Sequence, residues 1–141
     1  MIGFGPHLMV DGYEGNYEVL SSVEAITRFL EDLPNEIGMT KIMPPYVFRY
    51  DGGDVPEDWG ISGFVIIAES HISIHTFPEK GYFSIDIFSC KEFDMDRALE
   101  IIKSYFMTDK LEIRTTSRGT EFPRSVPLAT SITEAQRNRL V

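Results

Sequence analysis

The sequence predicts an α+β fold, a two-layer α/β sandwich in which a mostly antiparallel sheet carries helices on one face. Two apolar stripes with helical spacing predict the helices, and at least four short segments with alternating or continuous apolar residues predict the strands. A chain of 141 residues is long enough for one hydrophobic core, so we expect residues 1–141 to form a single domain. The sheet face without helices is left for a site or a partner.

The N-terminal part of the chain predicts a short strand followed by a helix. The strand spans His7 to Val10, before a turn-rich segment. Ser21, three residues before Glu24, forms a capping-box pattern, and the helix is expected to end near Pro34 or Gly38. The apolar stripe consists of Val23, Ile26, Phe29, Leu30 and Leu33.

The middle of the chain predicts most of the sheet. Residues 40–50 are expected to be extended, and the acidic, glycine-rich residues 51–60 to form a loop long enough to be functional. Three strands then follow one another, the last two across a short Pro-Glu-Lys-Gly turn. They are predicted at Phe64 to Ala68, His71 to His75 and Tyr82 to Phe88.

The C-terminal part predicts a second helix and a further strand. Asp94 is a suitable N-cap for a helix with a broad apolar face from Met95 to Phe106. Leu111 to Ser117 is expected to be a strand, and Thr130 to Val141 a short helix or a frayed end.

Composition and charge favour some classes of protein over others. A formal net charge of -9 disfavours nucleic acid and anionic membrane surfaces as partners. The N-terminus lacks the pattern of a signal peptide and no apolar run approaches a membrane span, so we expect a cytoplasmic protein. A single cysteine and the absence of CxxC or HExxH patterns argue against a disulfide and a metal site.

The densest polar cluster lies between Glu69 and His75. Alternation along a strand puts His71, Ser73 and His75 on one face. The pattern alone is typical of the polar side of an amphipathic strand, although serines beside histidines also suit nucleophilic chemistry. Taken alone, Cys90 is typical of a small buried residue, and Asp86 is typical of the exposed side of a strand.

The segment AESHISIHTFPEKGYFSIDIFSC, Ala68 to Cys90, resembles the signature of the prokaryotic S-adenosylmethionine decarboxylase proenzymes, ESHxxIHxxPExGYxxxDxxxC. The resemblance extends to GPHLMVDGY near the N-terminus, to Ser62-Gly63 and to Ser117-Arg118-Gly119. The family fold, a two-layer α/β sandwich that dimerises, agrees with the fold predicted from periodicity.

The resemblance implies that the chain cleaves itself between Glu69 and Ser70 into a β chain, 1–69, and an α chain, 70–141. Ser70 would become a pyruvoyl group, the cofactor that forms a Schiff base with the substrate amine. Ser62 and His75 match the positions that assist cleavage, the histidine by proton transfer, and Cys90 matches the later proton donor.

The resemblance also implies a homodimer of αβ protomers that decarboxylates S-adenosylmethionine for spermidine synthesis and needs no external cofactor. The segment before Ser62 departs from the family pattern, so arginine or ornithine stays open as the cationic substrate. An unprocessed homologue that only binds a ligand is a further alternative. The candidate substrate-binding residues are Phe48, Tyr50, Trp59, Glu79 and Asp86.

Overall fold

The protein is described here by a computed structural model that covers residues 3–122. The predicted tail from Thr130 to Val141 lies outside these residues. The described chain contains six strands and three α-helices. In chain order they are β1 (Gly5–Gly12), α1 (Tyr17–Leu20), α2 (Val23–Glu36), β2 (Tyr46–Tyr50), β3 (Gly60–Ile67), β4 (Ser70–Phe77), β5 (Tyr82–Phe88), α3 (Met95–Phe106) and β6 (Leu111–Arg118).

All six strands form one antiparallel sheet in the order β2-β3-β4-β5-β1-β6. Strands β3, β4 and β5 are joined by short turns, which explains why they are neighbours. The predicted α+β sandwich with a mostly antiparallel sheet is confirmed.

The core lies between one face of the sheet and helices α2 and α3. Apolar residues from every second strand position meet the apolar stripes of the two helices, as alternation and helical spacing require. Ile72, Ile74, Ile85, Phe29 and Phe106 are among its fully buried members. The opposite, open face of the sheet has no helix packed on it among the described residues.

The start of the first long helix differs from the prediction. Ser22 is the N-cap of α2, where its side chain accepts a hydrogen bond from the amide of Ala25, whereas Ser21 ends the short helix α1. The sequence analysis missed α1, whose N-cap is Asn16. Asp94 caps α3 as predicted, accepting from the amide of Arg97 at 2.9 Å.

The two extended segments predicted within residues 40–68 have different bounds in the structure. Within residues 40–50, only Tyr46–Tyr50 forms a strand, and β3 begins at Gly60 rather than Phe64. The loop between them contains one 3₁₀ turn, Pro56–Asp58. Among the described helices, none is long and apolar enough to cross a membrane.

Candidate active site

The turn between β3 and β4 contains the predicted cleavage position. Ile67 pairs with Ser70, so Ala68 and Glu69 make a two-residue turn. Glu69 adopts a φ of 62°, a left-handed conformation that costs a residue with a side chain about 1–2 kcal/mol. The residue whose carbonyl would be attacked is therefore held in a strained backbone conformation.

Ser70 and Cys90 lie together beside this turn. Ser70 is only 8% exposed, and its Oγ accepts a hydrogen bond from the backbone amide of Cys90 at 2.7 Å. The thiol of Cys90 donates to the carbonyl oxygen of Ala68 at 3.5 Å. A candidate nucleophile, the candidate proton donor and the turn thus form one compact group.

Ser62 and His75 form a second group at the other end of the hairpin. Their strands pair them directly, and Ser62 Oγ lies 2.8 Å from His75 Nδ1. His75 is five residues beyond Ser70, which corresponds to about 16 Å along a strand. Both side chains also lie on the open face, whereas Ser70 follows the parity of the core-facing residues. Within one chain, the pair is out of reach of Ser70.

A cleft of about 350 Å³ opens next to Ser62 and His75. Of the three aromatic residues predicted to contact a substrate, Tyr50 lines this cleft, whereas Phe48 does not. The residues lining it are Tyr50, Gly52, Asp58, Gly60, Ser62, His75, Thr76 and Phe77.

Trp59 and Glu79 lie close together at the loop before β3. The indole nitrogen of Trp59 donates to the Glu79 carboxylate at 3.1 Å. The guanidinium of Arg49 lies 4.2 Å from the centre of the Trp59 ring, a cation–π contact that covers one face of the indole. Among the aromatic candidates, Tyr50 is therefore better placed than Trp59 to offer a ring to a ligand in the cleft.

Asp86 lies on the open face, where sequence reasoning gave it no partner. His7 Nε2 lies 2.9 Å from one of its carboxylate oxygens. Burial lowers the pKa of the neighbouring His71, and the proximity of His7 and Arg118 lowers it further, while Asp86 raises it. A cluster of histidines, one carboxylate and one arginine therefore marks this part of the face.

The sequence analysis missed two polar residues that shape these sites. His7 joins Asp86 across 79 positions of sequence, and the pairing of β1 with β5 brings them together. Thr76 is buried, accepts from the amide of Ile61 and donates to the carbonyl of Leu20, which fixes α1 against the cleft. No local pattern identifies either contact. Within residues 3–122, no three histidine, cysteine or acidic side chains are grouped to hold a metal ion.

Comparison with known proteins finds similarity across most of the chain. The family model described as S-adenosylmethionine decarboxylase matches residues 6–119. A protein of Thermotoga maritima named S-adenosylmethionine decarboxylase proenzyme is 36% identical over 121 residues, which cover 84% of this chain and 87% of that protein. A protein of the same name from Clostridium botulinum is 36% identical over 116 residues, covering 82% and 94% of the two chains.

The fold is also similar to a solved structure. The crystal structure of the adenosylmethionine decarboxylase from Aquifex aeolicus superposes with a TM-score of 0.70 at 27% identity. The match covers 84% of this chain and 93% of the other. Sequence and fold therefore point to the same group of proteins.

Proposed function

The chain belongs to the S-adenosylmethionine decarboxylase family, and from that premise we propose that it decarboxylates S-adenosylmethionine with a pyruvoyl group made from its own Ser70. The observation that carries this proposal is the contact between Ser70 Oγ and the Cys90 amide at the strained Ala68-Glu69 turn. The relatives' designation as proenzymes supports a chain that must be processed.

The position of Ser70 supports the proposed self-cleavage. Its Oγ attacks the carbonyl carbon of Glu69, the C–N bond breaks, and the hydroxyl proton ends on the Ser70 nitrogen, which gives an ester. Removal of the Ser70 α-proton then expels the Glu69 carboxylate. This elimination separates a β chain of residues 1–69 from an α chain of residues 70–141 that begins with dehydroalanine. The enamine tautomerises to an imine, and water then replaces the nitrogen as ammonia leaves, which gives the pyruvoyl group. Opening the turn also relieves the left-handed conformation of Glu69.

The residues around Ser70 suit the group that this reaction would leave. A pyruvoyl carbonyl supplies an electron sink for decarboxylation, as other carbonyl cofactors do. Cys90, whose thiol lies against the Ala68 carbonyl, is positioned to deliver a proton beside residue 70.

Assistance from Ser62 and His75 requires a second copy of the chain. General acid–base catalysis needs contacts of about 3 Å, but the two groups of one protomer are about 16 Å apart along β4. In a dimer whose two-fold axis crosses the middle of β4, the Ser62–His75 end of one protomer lies opposite the β3–β4 turn of its partner, which precedes Ser70. We therefore assign these helpers to the partner's cleavage site in a homodimer of αβ protomers.

The open face of the sheet supports such a dimer. Tyr46 contacts the rings of both Phe48 and Phe64 on this face, and each of the three rings is at least one-third exposed. The same face carries the cluster of His7, Asp86 and His71. Apolar rings surrounded by polar groups are typical of a surface that pairs with another protein.

The cleft beside Ser62 and His75 suits a cationic substrate with an aromatic base. Tyr50 can stack on the base. Glu79 does not line the cleft, and its carboxylate accepts a hydrogen bond from Trp59. Asp58 is the negatively charged residue of the cleft lining, although Lys80 pairs with it. The carboxylate of Asp86 is already in contact with His7. A contribution of Asp86 to substrate binding stays a prediction.

Release of labelled carbon dioxide tests the proposed reaction. The processed enzyme is incubated separately with carboxyl-labelled S-adenosylmethionine, arginine and ornithine, and kcat/KM is compared. We expect the highest value for S-adenosylmethionine. A higher value for arginine or ornithine would overturn the substrate while leaving the cleavage chemistry standing, and no release from any substrate would overturn the decarboxylase.

A further inference from the structure

The first residues of β1 pack against the backbone that leads to Cys90. A Cβ atom added to Gly5 would lie 1.8 Å from the carbonyl oxygen of Ser89 and 3.0 Å from the Cα of Cys90. The amide of Ser89 donates to the carbonyl of Pro6 at 3.1 Å. A side chain at position 5 therefore requires Ser89 to move by about 1 Å or more, because contacts shorter than 3.0 Å do not occur.

The buried side chain of Ser89 also fixes this segment. Its side chain is 1% exposed, and its Oγ accepts a hydrogen bond from the amide of Lys91 at 3.1 Å. The backbone on both sides of Cys90 is therefore held by a hydrogen bond. The Ser89 amide donates to Pro6, and the Lys91 amide donates to the Ser89 hydroxyl. The amide of Cys90 is the group that donates to Ser70 Oγ.

We propose that Gly5 and Ser89 are positioning residues for self-cleavage, which they control through the Cys90 amide; this rests on the proposed function of Ser70 as the nucleophile. Neither residue touches the reacting atoms. The Cys90 amide occupies one lone pair of Ser70 Oγ, so the hydroxyl proton points away from that amide and the second lone pair can attack the Glu69 carbonyl carbon. A displaced Cys90 amide leaves Oγ free to turn away from the Glu69 carbonyl.

The amount of displacement sets the expected effect. Misplacement of a reacting group by about 1 Å can slow a reaction by about a hundredfold. Gly5→Ala forces a shift of that size at Ser89, next to the residue that holds the nucleophile. We therefore expect Gly5→Ala to cleave about a hundredfold more slowly than the wild type while the sheet still forms.

Gly12→Ala is the matched control at the opposite end of the same strand. A Cβ there would lie 2.0 Å from the ring of Phe83 in the core, so the variant loses stability without touching Ser89. Each full-length proenzyme is made by a short pulse of cell-free synthesis. Its conversion to two chains is then followed by intact mass, and its folded fraction by circular dichroism. Gly12→Ala should cleave within about twofold of the wild type once folded.

Ser89→Ala and Ser89→Thr keep the test decisive if Gly5→Ala does not fold. The alanine removes the acceptor of the Lys91 amide and should slow cleavage about tenfold, whereas the threonine keeps the hydroxyl and should restore the rate. If folded Gly5→Ala or Ser89→Ala cleaved at the wild-type rate, this inference would be overturned and the proposed function would stand. A wild-type chain that never cleaves would instead overturn the proposed function.

Discussion

Co-expression of two inactive variants tests whether a cleavage site is shared between protomers. Ser70→Ala lacks the nucleophile, and His75→Ala lacks the proton-transfer group. We expect neither variant to cleave when expressed alone, because every site in each homodimer lacks one component. In a mixed dimer, the His75→Ala chain keeps its own Ser70 and receives His75 from the other protomer, so that chain alone should be cut.

The expected yield follows from random pairing of the two chains. At equal expression, half of the dimers are mixed, and one of the two sites in each mixed dimer is complete. About a quarter of all chains should therefore be cleaved, all of them His75→Ala chains. The separation of about 16 Å between Ser70 and His75 along β4 prevents the same outcome within one chain.

Different affinity tags on the two variants allow mixed dimers to be isolated by two successive purifications. Light scattering confirms their dimeric mass, and intact mass then identifies which chain is cut. Mixed dimers that stay uncut would refute the shared site, as would a monomeric protein. Wild-type cleavage by His75→Ala alone would remove His75 from the reaction.

Three further outcomes are expected. Cys90→Ala should still cleave but decarboxylate at least tenfold more slowly, because the thiol acts after the two chains have formed; labelled carbon dioxide measures this. Tyr50→Leu should raise KM for S-adenosylmethionine at least tenfold, roughly the loss of 1.4 kcal/mol of stacking, without slowing cleavage. His71→Gln should weaken the fall in Tm that the wild type shows as the pH drops below 6.5.

The sign of the His71 effect comes from its surroundings. Burial, His7 and Arg118 lower the pKa of His71 below its ordinary value of 6.5, so the unfolded chain binds the proton more readily than the folded chain. Stability due to the neutral ring is present above the ordinary pKa and is lost as pH falls below it. An equal pH dependence of Tm below pH 6.5 in His71→Gln and the wild type would contradict the assignment.

Tyr50→Leu has a matched control on the same strand. Phe48→Leu changes an aromatic ring on the same strand as Tyr50 that does not line the cleft, so its KM should change less than that of Tyr50→Leu. An equal change in both variants would argue against stacking by Tyr50. Unchanged turnover in Cys90→Ala would return that cysteine to a packing role.

Periodicity predicted the sheet well where alternation was strict. Tyr82–Phe88 alternates along its whole length, and the structure gives β5 the predicted bounds. The helix start was harder, because Ser21 and Ser22 are both suitable caps. The short helix α1 uses Ser21 at its end and leaves Ser22 to cap α2, a choice that local pattern does not determine.

The signature identified the candidate residues by their spacing along the sequence. That spacing does not give the distances between their side chains in the fold. Ser62 and His75 are paired by the register of β3 and β4, which the two-residue turn at Ala68 and Glu69 fixes. That same register keeps them away from Ser70. The packing of Gly5 on Ser89 connects positions 84 residues apart, so it follows from the order of strands rather than from any local motif.

Intact mass of the purified wild-type protein tests the central claim most directly. We expect the chain to separate under denaturing conditions into residues 1–69 and residues 70–141, their summed mass differing from the intact chain by one water gained and one ammonia lost. The α chain should carry a carbonyl that reacts with hydroxylamine, and Ser70→Ala should stay a single chain. An uncut wild-type chain after long incubation, or a cut at any other bond, would contradict the account.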